Sequence, residues 1–144
     1  MKQVVQNYRT GEVSVLEVPM PACRSGTILV KNLSSIVSLG TERSIVELGK
    51  KTLLGKARAR PDLVKRVIEK ARTEGVSSTF REAKGRLETP TKLGYSSAGL
   101  VVECAEDVTR FSPGDQVACI GAAGANHAEY ITVAENLAAT IPEG

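Results

Sequence analysis

Residues 93–133 constrain the fold more than any other part of this sequence. Their apolar runs are short and rich in strand-favouring residues, at positions 101–102, 117–118 and 130–131. Between the first two runs stands Pro113-Gly114-Asp115, where proline fixes φ and glycine allows a positive φ, so that a tight turn is predicted. The pattern therefore predicts a β-meander that closes on itself or packs against a second sheet.

The N-terminal third of the sequence also predicts strands. Residues 2–7 and 12–18 form a predicted hairpin. Apolar and polar residues alternate imperfectly in it, so that the sequence does not show which face of the hairpin is buried. Residues 27–33 predict a third strand. Residues 45–48 predict only one or two helical turns, because Gly49 follows them as a stop signal. The chain is therefore expected to be mainly β.

Residues 50–88 depart from this β pattern. Pro61 stands near the first turn of a predicted helix, and Gly75 is placed to cap its C-terminus. Apolar residues recur at helical spacing on one side of this helix, which indicates an amphipathic face. The residues of that face are Leu63, Val64, Val67, Ile68 and Ala71.

The same region is the basic part of the chain. Residues 47–88 contain 12 Lys and Arg against 6 Asp and Glu, while the whole chain has a net charge of only +3. A capping box at residues 79–82 predicts a further short helix over 80–86. A basic helical insertion of about residues 44–88 is therefore predicted within the β framework.

The overall composition argues against several classes of protein. A net charge of +3 in 144 residues is too small to predict nucleic-acid binding, and no apolar run is long enough to span a membrane. Cys23, Cys104 and Cys119 form no C-x-x-C pair, which is typical of reduced thiols in a cytosolic protein. Residues 1–5 lack the apolar region of a signal peptide. We expect one cytoplasmic domain and leave its oligomeric state open.

Several motifs occur in the order found in a known domain family. They are Ala98-Gly99-Leu100-Val101-Val102-Glu103, Phe111-Ser112-Pro113-Gly114-Asp115-Gln116-Val117 and Ala128-Glu129-Tyr130. Together they resemble the N-terminal catalytic domain of medium-chain alcohol dehydrogenases. The resemblance implies a partly open GroES-like β-barrel over residues 1–144 and an NAD- or NADP-dependent oxidoreductase. Residues 141–144 resemble the junction with a nucleotide-binding domain, which is therefore expected downstream.

Further motifs sharpen the resemblance. They lie at residues 40–42, 55–64, 93–99 and 126–130. They are similar to zinc-free bacterial bi-domain oxidoreductases, in which such a dehydrogenase is fused to a second nicotinamide-dependent module of the Gfo/Idh/MocA type. These proteins are often linked with cell-surface polysaccharide synthesis. The resemblance thus implies a carbonyl or alcohol substrate, with a sugar-related molecule as one option.

Zinc binding is the first candidate chemistry, because many members of the family that this sequence resembles use zinc. The cysteine position of zinc-dependent members falls on Leu39, and their histidine position falls on Tyr95. Leucine cannot ligate Zn²⁺, and neutral tyrosine is a poor ligand. The chain has one histidine, His127, which cannot build a site alone. The sequence therefore predicts no zinc and no other metal.

A glycine-rich segment at residues 121–126 is the candidate for nucleotide binding. It is not G-x-G-x-x-G, and a strand rather than a helix is predicted after it. A loop between strands is the favoured interpretation. We therefore predict no cofactor-binding residue in this chain and expect the NAD or NADP site beyond Gly144.

Three residues are candidates for catalysis without zinc. By resemblance, Thr41 matches a hydroxyl that relays protons. Tyr95 replaces a metal ligand, and its phenol could donate a hydrogen bond to a developing alkoxide. His127 could donate a proton at the mouth of the cleft. Two of them have a structural alternative: Tyr95 could fill the vacated metal site beside Leu39, and His127 could be a loop histidine bonded to backbone. Ser96 is a candidate for substrate binding, with a turn before a strand as the alternative.

Three cations in the insertion could bind an anionic substrate such as a sugar nucleotide. Lys56, Arg58 and Arg60 recur at every second position just before the predicted helix. The same charges could instead dock a partner domain or form the solvated face of an amphipathic helix. Two hypotheses follow. In the first, the chain is the substrate-binding domain of a zinc-independent oxidoreductase and is inactive alone; in the second, it is a non-catalytic GroES-like module that docks a partner domain through its basic insertion.

Overall fold

The computed structural model describes residues 1–76, 85 and 89–142. It confirms the mainly β class, with helices concentrated between residues 41 and 76. No helix in this described part combines the length and hydropathy needed to cross a bilayer. In chain order the elements are β1 (Lys2–Gln6), β2 (Val13–Glu17), β3 (Thr27–Ser35), α1 (Thr41–Lys50), α2 (Leu53–Ala59), α3 (Pro61–Glu74), β4 (Thr91–Lys92), β5 (Ser96–Cys104), β6 (Gln116–Ile120), β7 (Tyr130–Ala134), a 3-10 turn (Glu135–Leu137) and β8 (Ala138–Thr140).

The strands form two sheets. A three-stranded sheet has the order β2-β1-β4, and a five-stranded sheet has the order β7-β3-β5-β6-β8. All neighbours in the larger sheet pair antiparallel. The predicted turn at Pro113-Gly114-Asp115 joins β5 to β6, and Gly114 has a φ of +100°.

The predicted meander is correct for β5 and β6 but wrong for β7. Strand β7 pairs with β3 along the edge of β3 that faces away from β5, with Ile131 opposite Val30. Val30 also lies opposite Val101 of β5, so that β3 is flanked on both sides. The apolar pattern of residues 93–133 could not reveal this arrangement, because the central partner strand comes from a distant part of the chain.

The hydrophobic core lies on one face of the larger sheet. Alternate residues of its strands point into the core, as the period of two along a strand requires. Most are β-branched, which compensates for the scarcity of aromatic residues. The largest fully buried side chains of this cluster are Ile28, Val30, Val101, Val117, Ile131 and Val133.

The chain divides into two compact units. The first, here the β unit, comprises residues 1–5, 15–42 and 92–144; the second, here the helical unit, comprises residues 6–14 and 43–91. In the helical unit α3 confirms the prediction made from Pro61 and Gly75, since Pro61 occupies its first turn and Gly75 is its C-cap. The capping box at 79–82 and the helix over 80–86 lie outside the described residues.

The short helix expected before Gly49 is longer than predicted. Helix α1 runs through Gly49, so that this glycine is not a stop signal. A Cβ at Gly49 would collide with the carboxamide of Gln6, which donates hydrogen bonds to the carbonyls of Val46 (3.2 Å) and Gly11 (3.3 Å). The glycine is therefore explained by close packing against a buried glutamine rather than by helix termination.

Candidate functional site

The side chain of His127 joins two other polar side chains of the β unit. Its Nδ1 lies 2.8 Å from Ser35 Oγ, and its Nε2 lies 3.0 Å from Glu42 Oε2. The side chains of His127 and Glu42 are each only 10% exposed, whereas Ser35 is exposed. We call these three residues the Ser-His-Glu network; it leads from a buried carboxylate to a hydroxyl at the surface.

Glu42 is held at the N-terminus of α1. Its second oxygen, Oε1, accepts a hydrogen bond from the backbone amide of Ser38 at 3.1 Å. In return the Ser38 hydroxyl accepts from the backbone amide of Thr41 at 3.2 Å. This reciprocal capping satisfies amides that the first helical turn leaves unpaired, and the helix dipole favours a carboxylate there. One oxygen of Glu42 is thus fixed by backbone while the other is available to His127.

The backbone fixes His127 as well. Its amide donates to the carbonyl of Leu93, and its carbonyl accepts from the amide of Val4, both at 2.8 Å. Gly94 has a φ of +94°, and a Cβ on it would lie 2.9 Å from atoms of the His127 ring. The imidazole therefore packs directly against backbone, which leaves its two nitrogens in a defined direction.

The network indicates which imidazole nitrogen bears the proton. An ionised carboxylate can only accept, so that Nε2 donates to Glu42. In neutral histidine Nδ1 is then an acceptor, and the Ser35 hydroxyl donates to it. This arrangement can move one proton between Ser35 and His127 while the carboxylate stabilises the resulting imidazolium.

A groove of about 260 Å³ adjoins the network, and Ser35 and His127 both line it. Polar side chains form much of its wall. Asn32 lines the groove and donates through Nδ2 to the carbonyls of Asn126 (3.2 Å) and Ala128 (2.8 Å). The groove can therefore receive a polar ligand whose oxygen atom reaches Ser35.

The predicted catalytic and substrate residues of the β unit lie at different places. Thr41 is exposed at the start of α1 and meets the capping interactions through its backbone amide. Tyr95 is half-buried, and its carbonyl accepts from Gly121 at 2.8 Å. Ser96 is half-buried in β5 opposite Ile120, so that it belongs to the strand. His127 is the only one of these candidates whose side chain joins the network.

The predicted site residues included neither Glu42 nor Ser35. Ser35 is the last residue of β3, paired with Ser97 of β5. A serine at a strand end has no distinguishing pattern, and 92 residues separate it from His127. The signal that could have found Glu42 is the Ser38-to-Glu42 spacing at a helix start, which is close to that of a capping box.

The residues at the expected zinc positions do not fit a zinc ion. Leu39 is 83% exposed and offers no donor, and it does not form the buried apolar contact that was expected beside Tyr95. Within residues 1–76, 85 and 89–142, no group of three or more His, Cys, Asp or Glu side chains could hold a metal. We therefore derive no chemical step through zinc.

The glycine-rich segment at residues 121–126 does not fit the pyrophosphate of a dinucleotide. The segment at residues 121–126 folds as a turn in which Gly124 and Ala125 both donate to the carbonyl of Gly121. It continues to β7 and not to a helix, so that it lacks the helix N-terminus that would receive a pyrophosphate.

The three cations of the helical unit do not form one cationic strip. Lys56 and Arg58 lie in α2, where residues two apart point to roughly opposite sides. Lys56 is 7% exposed, and its ammonium donates to the carbonyls of Tyr8 and Arg9, 5.0 Å from the centre of the Tyr8 ring. Burial lowers the pKa of Lys56. This geometry argues against the expected role of Lys56 in anion binding and assigns it to holding the loop at residues 8–9.

The two arginines have different surroundings. Arg60 forms a two-pronged ion pair with Asp62, at 2.8 and 3.1 Å, and this pair lowers the pKa of Asp62 to about 2. Arg58 is exposed. Arg58 and Arg60 are thus both exposed, whereas Lys56 is buried.

Solved structures with the same fold include several oxidoreductases. Galactitol-1-phosphate dehydrogenase from Escherichia coli superposes with a TM-score of 0.64 and 19% identity over 99% of this chain and 38% of its own. Quinone oxidoreductase from Escherichia coli, in complex with NADPH, gives 0.62 and 14% over 99% and 33%. An alcohol dehydrogenase superfamily protein from Novosphingobium aromaticivorans gives 0.64 and 20% over 99% and 34%. The chain thus spans between a third and two-fifths of the length of these structures.

A family comparison identifies the fold directly. Residues 67–143, just over half of the chain, match the family described as the alcohol dehydrogenase GroES-like domain. The match includes β5, the turn at Pro113-Gly114-Asp115, and the segment around His127, which are the motifs of the resemblance. The chain therefore belongs to the alcohol dehydrogenase GroES-like domain family.

Proposed function

We propose that this chain is the substrate-binding domain of a zinc-independent, NAD- or NADP-dependent oxidoreductase acting on a carbonyl or alcohol. The main support is the family match over residues 67–143. Leu39 and Tyr95 stand at the expected zinc positions, and the Ser-His-Glu network offers proton chemistry that needs no metal. The nucleotide-binding domain follows in the full-length protein, in agreement with the fraction of related structures that this chain covers.

Two observations support the substrate class that we propose. One structure of the same fold is a galactitol-1-phosphate dehydrogenase, and others are quinone oxidoreductases, one of them bound to NADPH. We favour a sugar-related carbonyl or alcohol, because polar side chains such as Asn32 and Ser35 line the groove. The nicotinamide supplies the hydride when it is bound by the downstream domain. This chain binds and orients the substrate and moves its proton.

Each candidate residue of the β unit has a role in this proposal. His127 exchanges the proton of the substrate oxygen, and Glu42 holds its imidazole. Thr41 and Tyr95 contribute a hydroxyl and a phenol at the edge of the cleft. Ser96 contacts the substrate from the start of β5. A second nicotinamide-dependent module of the Gfo/Idh/MocA type completes the native chain.

The test uses the full-length protein and this chain in parallel. We expect the full-length protein to reduce sugar-related carbonyls with NADH or NADPH after treatment with a chelator, with no stoichiometric transition metal in elemental analysis. We expect calorimetry to detect no tight nicotinamide binding to residues 1–144 alone. A stoichiometric metal whose removal abolishes turnover would refute zinc independence. Tight binding of NADH or NADPH to this chain alone would refute the assignment of cofactor binding to the downstream domain.

A second candidate function is a non-catalytic module that docks a partner domain through its helical unit. The observation that favours it is α3, whose residues Leu63, Val64, Val67 and Ile68 are 36 to 48% exposed. Replacing Arg58 and Arg60 by alanine tests it without disturbing the buried Lys56. The docking function predicts that the double variant loses association and keeps substrate reduction. Loss of turnover with association unchanged contradicts it.

A further inference from the structure

We propose that Ser35 is a catalytic residue, the hydroxyl that exchanges a proton with a substrate oxygen bound in the adjoining groove. His127 stores that proton, and Glu42 is a positioning residue. This inference rests on the proposed function and deepens it, since it replaces Thr41 by Ser35 as the hydroxyl next to the substrate.

The hydrogen bonds favour Ser35 over Thr41. Ser35 Oγ lies 2.8 Å from His127 Nδ1, and Ser35 is exposed where it lines the groove. Thr41 joins the surrounding network through its backbone amide, which donates to Ser38. The contact between His127 and the carboxylate is shielded, at 10% exposure for each side chain. The network thus has one buried charged end and one accessible hydroxyl end.

The backbone around Ser35 holds its hydroxyl in place. Ser35 pairs with Ser97 of β5, and the amide of the next residue, Ile36, donates to the carbonyl of Ser96 at 3.0 Å. Gly94 allows the imidazole to pack against backbone on the other side. A pre-organised donor and acceptor at fixed distance is what efficient proton transfer requires.

The proton transfer needs no metal, and the hydride of the substrate carbon would pass to the nicotinamide that the proposed function assigns to the downstream domain. When the substrate is an alcohol, its O–H bond breaks and the proton passes to Ser35 Oγ. Ser35 releases its own proton to His127 Nδ1, and the N–H bond formed there yields an imidazolium beside the Glu42 carboxylate. The Nε2 proton stays between His127 and Glu42 throughout. In the direction of carbonyl reduction the same steps run in reverse and end with a neutral imidazole.

The first test reads the proton positions without any turnover. In ¹⁵N NMR of the 144-residue chain, we expect the neutral form of His127 to carry its proton on Nε2 and to leave Nδ1 unprotonated. The Glu42→Gln variant should lose this preference, because the carboxylate that fixes the Nε2 proton is gone. A wild-type chain with the proton on Nδ1 would overturn the proposal.

The second test separates Ser35 from Thr41 by kinetics of the full-length protein. Ser35→Ala should lower kcat on the order of 100-fold with little change in KM, because it removes the accessible end of the proton path. Ser35→Thr keeps a hydroxyl and should restore most of the rate. Ser112→Ala, in the exposed turn before β6, is the matched control and should behave as wild type. Thermal melting of each variant excludes a folding defect.

The outcomes separate this inference from the proposed function. If wild type turns over but Ser35→Ala keeps its kcat, the inference is refuted and the proposed function stands. The inference is equally refuted if Thr41→Val causes the loss instead. If wild type shows no nicotinamide-dependent turnover, the proposed function fails, and with it the catalytic role of Ser35.

Discussion

The β unit and the helical unit use similar apolar residues with opposite results. In the β unit Ile28, Val30 and Val117 are completely buried. In the helical unit the apolar face of α3 remains 36 to 48% exposed from Leu63 to Ile68. Both sets showed the periodicity expected of a buried face, a period of two in the strands and helical spacing in α3. Helical spacing therefore predicted the type of α3 correctly, but it did not predict the extent of its burial.

The polar residues differ between the units in the same way. Glu42 and His127 of the β unit are buried together and hydrogen-bonded to each other. In the helical unit Arg43 and Glu47 form an exposed pair at 2.8 Å, with side chains 78 and 57% exposed. Exposed pairs contribute little to stability, whereas removal of one buried partner leaves an unsatisfied charge. Function is therefore more plausibly assigned to the network of the β unit than to the charges of the helices.

The largest expected effect is at Gly99, where the backbone of β5 lies against that of β3. A Cβ there would lie against the backbone carbonyl of Lys31, which cannot move aside as a flexible side chain would. We expect Gly99→Ala to lose about 4 kcal/mol of unfolding free energy, or not to fold. Gly40→Ala is the control, since a Cβ at Gly40 meets nothing within 4 Å. Chemical denaturation measures both, and equal stability of the two variants would contradict the close approach.

A pair of identical substitutions compares the two units directly. Ile131→Ala removes a side chain that is 2% exposed in the core of the β unit, and should cost about 3 kcal/mol. Ile68→Ala removes one that is 48% exposed on α3, where alanine also favours the helix, and should cost less than about 1 kcal/mol. Similar losses at both sites would show that the face of α3 is covered in solution. Urea unfolding of each variant decides between these results.

Lys56 is the exception within the helical unit, because it is buried. Lys56→Met keeps the length of the side chain but leaves the carbonyls of Tyr8 and Arg9 without their donor, at a cost of about 1–2 kcal/mol. Arg58→Met, at an exposed position of the same helix, is the control. Thermal melting near neutral pH should show the difference, and an unchanged Lys56→Met variant would argue against this contact.

The pH dependence of the same variant has a definite sign. Burial lowers the pKa of folded Lys56 below its ordinary value of 10.5, so that the unfolded chain holds this proton to higher pH than the folded chain. Stability from this group therefore rises with pH between the lowered pKa and 10.5. The advantage of wild type over Lys56→Met should widen as pH rises through that interval.

The smallest expected effect is at Asp107 in the β unit. Its carboxylate accepts from the Gly26 amide (2.9 Å) and the Ser25 hydroxyl (2.6 Å), and these bonds lower its pKa below the ordinary 3.8. This stabilisation is complete above pH 3.8 and is lost as pH falls through the lowered pKa. The small difference in Tm between wild type and Asp107→Asn should therefore disappear in acid. A difference that persists at the lowest pH would contradict this account.

Much of the fold could be predicted because its signals are local. Pro61 and Gly75 bounded α3, and Pro113-Gly114-Asp115 placed the turn between β5 and β6. Proline and glycine restrict the backbone wherever they occur, so that such signals do not depend on distant contacts. Gly49 shows the limit: the sequence indicated a stop, but the glycine is there because Gln6 packs against the helix.

The candidate site was predictable only in part. His127 was singled out because it is the one histidine, and Leu39 and Tyr95 because the resemblance marked their positions. Ser35 was missed, since nothing near it in the sequence indicates that a strand end will meet an imidazole. Lys56 and Arg58 were grouped by their alternation, but they lie in a helix, where alternate residues diverge.

The sequence by itself determined the family, the mainly β class and the residues available for chemistry. The tertiary structure decided that β3 lies between β5 and β7, that the face of α3 is left partly exposed, and that Ser35, Glu42 and His127 meet. The physical reason is distance along the chain. Turns and helix caps are satisfied within a few residues, whereas strand partners and a network spanning 92 residues are selected only when the whole chain packs.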